Sequence, residues 1–288
     1  MPALHDLSAA ELIDAYRTRR LGPVEVVRAV LAHIGRWEPH LHATYALDPE
    51  GALAQAEASQ GRWLKGEPAG ALDGVPVPVG TAATELVPAA QDAPPAARLR
   101  EAGAVILGKT TMPDYGMLSS GLSSFHALTR NPWDLTKNPG GSSAGAGAGV
   151  AAGYGPLHVG TDIGGSVRLP AAWCGIFTLK PSLGRIPIHP PYAGRVAGPM
   201  TRTVADAALM MGVLSRPDAR DTMSLPWQDI AWQQLHREVK GLRIGLQLDA
   251  GWGLPVEPDT RAAVEAAARL FERAGAIVEP VRDRKSVV

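Results

Sequence analysis

Between Asn138 and Ser182 the chain reads NPGGSSAGAGAGVAAGYGPLHVGTDIGGSVRLPAAWCGIFTLKPS, and no other segment restricts its folding as much. Two serines, Ser142 and Ser166, stand 24 residues apart, each directly after a Gly-Gly pair. Small residues ahead of a serine let the backbone turn sharply and bring its N–H groups close to a bound carbonyl, the surroundings an acyl-transfer nucleophile needs. The run between them predicts a helix of small residues over Ala144 to Ala152, suited to close packing on a sheet. Strands are expected at Leu157 to Ile163 and Ile176 to Lys180.

The remaining segments alternate in the same way. Ser8-Ala-Ala-Glu11 spells a capping box that opens a helix expected to stop at Gly22. Pro23 suits the first turn of a second helix, with Val27, Val30, Leu31 and Ile34 on one apolar stripe. Residues 75–79, VPVPV, read as extended, because each proline turns its predecessor away from helix. A helix from Pro94 to Ala102 is stopped by Gly103 and followed by a short buried strand, Ala104 to Leu107. Loops dominate from Pro113 to Ser142. Thr203 caps a helix running to about Leu214, and the chain closes with a strand at Leu242 to Leu248, a helix at Asp259 to Arg273 and a strand at Ala276 to Val281. Alternating helices and strands predict a single α/β sandwich domain over residues 1–288.

Composition removes several function classes. Lys plus Arg and Asp plus Glu both total 28, so the net charge is zero, which argues against nucleic acid or an anionic membrane as the main partner. The single cysteine, Cys174, excludes an intrachain disulfide framework and suits a reducing compartment. The first twenty residues carry no apolar core and read as helix, so no signal peptide is expected, nor does any stretch read as a bilayer span. The expectation is a soluble, cytoplasmic protein.

Four short patterns compete for a chemical role. Gly103-AVIL-Gly108-Lys109-Thr110 has the P-loop spelling, but a phosphate cradle needs exposed amides where this chain has an apolar strand. Gly147-Ala-Gly149-Val-Ala-Ala152 approximates a dinucleotide fingerprint without a leading strand or a suitably spaced acid, so its glycines read as packing residues. Gly141-Ser142-Ser143-Ala144-Gly145 satisfies G-x-S-x-G, yet the polar stretch before it is no elbow strand, and its base would have to be a histidine such as His189 or His236. His40-x-His42 lacks further ligands at metal spacing, and Cys174 reads as a buried thiol.

The combination GGSSAG…GTDIGGSVRLPA…CGIFTLKPS resembles the amidase signature family of serine hydrolases. GAVILGKTTMPDYG (103–116), NPWDLTKNPGG (131–141) and GPMTRTVADAALMMGVL (198–214) extend the resemblance, which runs to about residue 282. It implies a mixed β-sheet sandwiched between helices, an α/β/α fold, C-terminally incomplete because family members continue well beyond the last predicted strand. It implies hydrolysis of a carboxylic amide by a Ser–Ser–Lys unit with no metal and no organic cofactor. By the same resemblance Ser166 is the nucleophile and Ser142, on a cis peptide after Gly141, the bridging serine. Ile163, Gly164, Gly165 and Ser166 supply oxyanion-hole amides, while Ser143, Asp162 and Arg168 brace the site. Gly116 and Met117 line the substrate pocket.

The expected partner is a small-molecule amide, with no nucleic acid and no membrane. A sheet edge left uncovered by the short C-terminus predicts self-association or a homo-oligomer. An amidase-type component of a glutamine-dependent amidotransferase shares these motifs and stands as an alternative, as does a catalytically impaired member.

One element of the family pattern is missing. The family's lysine follows an extended segment like Gly74-VPVPV-79, where this chain continues Gly80-Thr81-Ala82, as though a short segment were lost after Val79. Lys109, Lys137 and Lys180 belong to other stretches of the motif, and none is a natural substitute.

Overall fold

The computed structural model describes residues 2–80, 89–249 and 255–281 and divides into two compact units, residues 1–233 and 234–288. In the first unit the capping box closes as expected: Ser8 accepts from the Glu11 amide and Glu11 accepts from the Ser8 amide, opening α1, Ala9–Arg17. This helix ends a turn before Gly22, which caps α2, Pro23–Leu41, with Pro23 in the first turn. β1, Thr44–Leu47, leads into α3, Pro49–Lys65, capped by Asp48 and ended by the left-handed Gly66. β2, Pro76–Gly80, is the extended VPVPV segment. α4, Pro94–Glu101, precedes β3, Val105–Thr110. Then come α5, Ala144–Ala151, β4, Leu157–Asp162, and α6, Arg168–Cys174. β5, Phe177–Thr178, β6, Val196–Thr201, and α7, Val204–Leu214, complete the unit.

Six strands form one mixed sheet in the order β1-β3-β2-β4-β6-β5. β2 runs parallel to β3 and β4, whereas β1 pairs antiparallel with β3 and β6 antiparallel with both β4 and β5. Alternation along β2 and β3 divides the core. Val75, Val77, Leu99, Leu157, Met210 and Leu214 bury together on the α4–α7 side. Val27, Val30, Ile34, Val105, Leu107 and Tyr154 bury on the α2–α3 side. Helices thus cover both faces, as the alternating pattern predicted.

The small-residue helix α5 lies against the sheet for the reason its composition suggested. A Cβ at Gly149 would come within 2.8 Å of the His158 ring, and one at Gly147 within 2.6 Å of Pro170. The dinucleotide-like spelling is therefore a packing surface. The P-loop spelling falls on β3, whose residues pair with both neighbouring strands.

The second unit is a βαβ turn of its own: β7, Arg243–Leu246, and β8, Ile277–Pro280, pair in parallel, with α8, Pro258–Arg273, between them in sequence. Among the described residues no helix is long and apolar enough to cross a membrane, and no cluster of His, Cys, Asp and Glu could hold a metal ion.

Candidate active site

β4 carries the chain to the site. It ends at Asp162, whose side chain is fully buried and receives a two-pronged contact from Arg168, Nε to Oδ2 at 3.0 Å and Nη2 to Oδ1 at 2.9 Å. The amides of Gly165 and Val167 donate to the same carboxylate at 2.9 and 3.1 Å. Burial pushes the carboxyl up, but the guanidinium and the two amides outweigh it and hold Asp162 at about 2. The loop Ile163–Val167 is thereby wrapped around a permanent negative charge, with Gly165 at φ 122° where a side chain would be strained. Ser166 sits half-buried on that loop.

The second serine arrives from the start of α5. The Gly141–Ser142 peptide is cis, as the family pattern implies, and Ser142 is buried. Ser143 joins the two loops. Its hydroxyl accepts from the Thr161 amide at 3.1 Å and donates to the Thr161 carbonyl at 3.2 Å, while its own amide donates to the Ser166 carbonyl at 3.2 Å. Ser142, Ser143 and Ser166 line one cavity of about 210 Å³.

Of the four amides implied as carbonyl-activating donors, Gly165's is already engaged by Asp162. Those of Ile163, Gly164 and Ser166 make no hydrogen bond among the described residues, and Ile163 and Ser166 line the cavity. The hydroxyls of Ser142 and Ser166 are likewise without a hydrogen-bond partner among the described residues, each other included. Gly116 lines the cavity too, and a Cβ there would stand 3.5 Å from Ser142 Oγ. Met117 does not; its side chain is 80% exposed. The left-handed turn at Tyr115 and Gly116, φ 53° and 69°, carries the chain outward, and the wall takes Tyr115 instead.

The rest of the wall comes from residues that the motif reading passed over. Thr110, at the end of β3, pairs with Gly80, is buried, and leaves its Oγ1 without a partner among the described residues. His189 and Arg195 enter from the loop before β6. Their signal in sequence was faint: a histidine and an arginine among prolines and glycines, with nothing to mark which way they face. His236 belongs to the second unit. No lysine, aspartate or glutamate is among the described lining residues. β2 ends at Gly80, and Thr81 to Pro88, which follow the point where a short segment was read as lost, lie outside the described residues. Cys174 is buried, and burial pushes its thiol up to about 12, so it is an inert packing residue.

A family model described as Amidase matches residues 25–286. A glutamyl-tRNA(Gln) amidotransferase component from Alkalilimnicola ehrlichii is 36% identical, the match taking in 96% of this chain and 61% of the relative. Its counterpart from Nitratidesulfovibrio vulgaris is 40% identical over 93% of this chain and 59% of its own length. The Alkalilimnicola match runs over 300 residues against a 288-residue chain, so the relative has positions opposite which this chain has none. Among solved structures, a bacterial aryl acylamidase of the amidase signature enzymes superposes with a TM-score of 0.89 at 34% identity, over 98% of this chain and 62% of that one. A fatty acid amide hydrolase superposes with 0.87 at 27% identity, over 98% and 54%. The chain therefore spans about three fifths of the length of the relatives it matches. With its two serine loops, its mixed sheet and these relatives in agreement, the chain belongs to the amidase, or amidase signature, family.

Proposed function

We propose that this chain carries the nucleophile half of an amide-hydrolysing site, with Ser166 as the acylated residue and Ser142 as the proton relay. One observation carries the reading: both serines, with hydroxyls free of other partners among the described residues, line the cavity that also receives Ile163 and Ser166, whose amides are unengaged. In the reaction Ser166 Oγ bonds to the amide carbonyl carbon while its proton passes to Ser142, and Ser142 passes its own proton to a solvent water, from which the departing nitrogen later takes one. The carbonyl oxygen gains charge against the amides of Ile163, Gly164 and Ser166, and collapse breaks the C–N bond as the departing nitrogen takes a proton. Water then releases the acyl group and restores Ser166.

The family's proton acceptor is a lysine, and none lines the cavity among the described residues. Solvent is a far weaker base, so turnover by this chain is expected to be slow, with oxyanion-type catalysis alone giving about 10³–10⁴ over water. A small-molecule amide is the substrate, and a buried, unpaired Cys174 suits the reducing cytoplasm. A fluorophosphonate probe followed by peptide mapping tests the assignment. One adduct on Ser166, absent from Ser166→Ala, is expected. A folded chain that stays unlabelled at Ser166 on prolonged exposure would end it.

A second reading has its own support: the first curated relatives are components of a glutamyl-tRNA(Gln) amidotransferase. On that reading the same serines act within an assembly, and acylation of Ser166 should accelerate when a partner protein of that assembly is added.

A further inference from the structure

Arg195 is the one side chain on the cavity wall, among the described residues, that carries a fixed charge. It stands immediately before β6, its amide donating to the Tyr192 carbonyl at 3.1 Å. Its Nη2 donates to the Pro190 carbonyl at 2.9 Å, and its guanidinium lies 5.9 Å from the centre of the Tyr192 ring. These contacts fix the group at the cavity without neutralising it. No carboxylate pairs with it among the described residues, unlike Arg62, Arg168 and Arg220, each of which has an aspartate. Its Nε is buried and has no acceptor among them. A buried N–H of a charged group left unpaired is costly, and a carboxylate is the acceptor that matches a guanidinium in both charge and shape.

The rest of the wall agrees. No aspartate or glutamate is among its described lining residues, the buried Asp162 beneath the serine loop is already paired with Arg168, and the body of the cavity is apolar, from Val79, Met112, Val159 and Ile188 among others. At about 210 Å³ the space is small for a ligand site. We propose that Arg195 is a specificity-determining residue that selects amides bearing a carboxylate a few bonds from the scissile carbonyl, such as short-chain dicarboxylic acid monoamides. The proposal deepens the amidase reading and rests on it for the orientation of the substrate: amide toward Ser166, carboxylate toward Arg195.

The test uses the intact chain and two probes alike except in charge, succinamate and succinamide, with affinities measured by titration calorimetry at low salt. Succinamate is expected to bind at least tenfold more tightly, the preference shrinking as salt is added. Arg195→Gln should bring the two affinities together, and Arg195→Lys should retain part of the preference, because it keeps the charge and loses the fork. Equal affinities in the unaltered chain, no detectable binding of either probe, or an undiminished preference in Arg195→Gln would each overturn the proposal. If Arg195→Gln does not fold, Arg195→Lys and the salt series decide. Fluorophosphonate labelling in parallel separates the two readings. A charge preference without a Ser166 adduct leaves the anion site and removes the amidase reading; an adduct without a charge preference does the reverse.

Discussion

β2 and β4 are parallel neighbours whose C-terminal ends reach the same cavity, yet they differ in what they bring. β4 ends in a buried aspartate, a two-pronged arginine contact, two captured amides and a serine. β2 ends at Gly80, with Thr110 beside it holding a hydroxyl unpaired among the described residues. The groups described as shaping the Ser166 loop come from β4, the loop after it, the first residue of α6 and the start of α5. On the proposed reading, the contrast teaches that the groups around Ser166 hold one another in place without a contribution from the end of β2, where the family's lysine would be expected.

The largest expected effect comes from supplying what β2 lacks. Splicing a lysine-bearing segment of the family between Val79 and Gly80 should accelerate single-turnover acylation of Ser166 by about 10³-fold or more, since members of a catalytic unit act jointly. A chain already acylating at the family's ordinary rate, unchanged by the insertion, would erase the contrast. Breaking the β4 end comes next. Asp162→Ala leaves the amides of Gly165 and Val167 and the Arg168 guanidinium without their acceptor. A cost of about 3 kcal/mol in denaturant unfolding is expected, at the low end for a broken buried pair because Arg168 is half in solvent. The sign of the pH effect follows from a carboxyl held at about 2: its contribution is complete above the unfolded value near 3.9 and is lost as pH falls toward 2. Stability of Asp162→Ala should therefore fall less steeply than that of the unaltered chain across that window.

The smallest effect sharpens the comparison from the other end of β4. His158 is fully buried, and neither ring nitrogen has a partner among the described residues. Burial first, and the charge of Arg202 second, bring it down to about 3 against a weak opposing backbone contact at Tyr154 that falls short of hydrogen-bond geometry. The unfolded chain therefore takes up a proton on acidification before the folded one does. Stability is complete above about pH 6.5 and falls by about 2 kcal/mol between pH 7 and pH 5 on this account. His158→Leu should flatten that slope in urea titrations while leaving Ser166 labelling unchanged. An unaltered slope would show that other groups set it.

Much of the site can be read from the chain itself. Ser142, Ser143, Asp162, Ile163, Ser166 and Arg168 crowd into one motif, so a single recognised pattern carries them all. The helices with a capping box, an N-terminal proline or a wide apolar stripe are legible for the same local reason. α3 escapes because it buries only Ala52, Ala56 and Ser59, leaving no stripe of large apolar residues to count. β6 escapes because Gly198 and Pro199 speak against a strand; in the fold Pro199 needs no donor, and its carbonyl accepts from Leu179 and from Thr178 Oγ1. Thr110, His189 and Arg195 cannot be read at all as a group, because only the sheet brings β3 and the loop before β6 to one wall.

The clamp made by Ser143 has a consequence for which changes the site tolerates. It couples the two serine turns through Thr161 and the Ser166 carbonyl and touches nothing on β2. The two serine turns are thus locked to each other independently of β2, so a change of sequence after Gly80 is expected to leave the geometry around Ser166 in place.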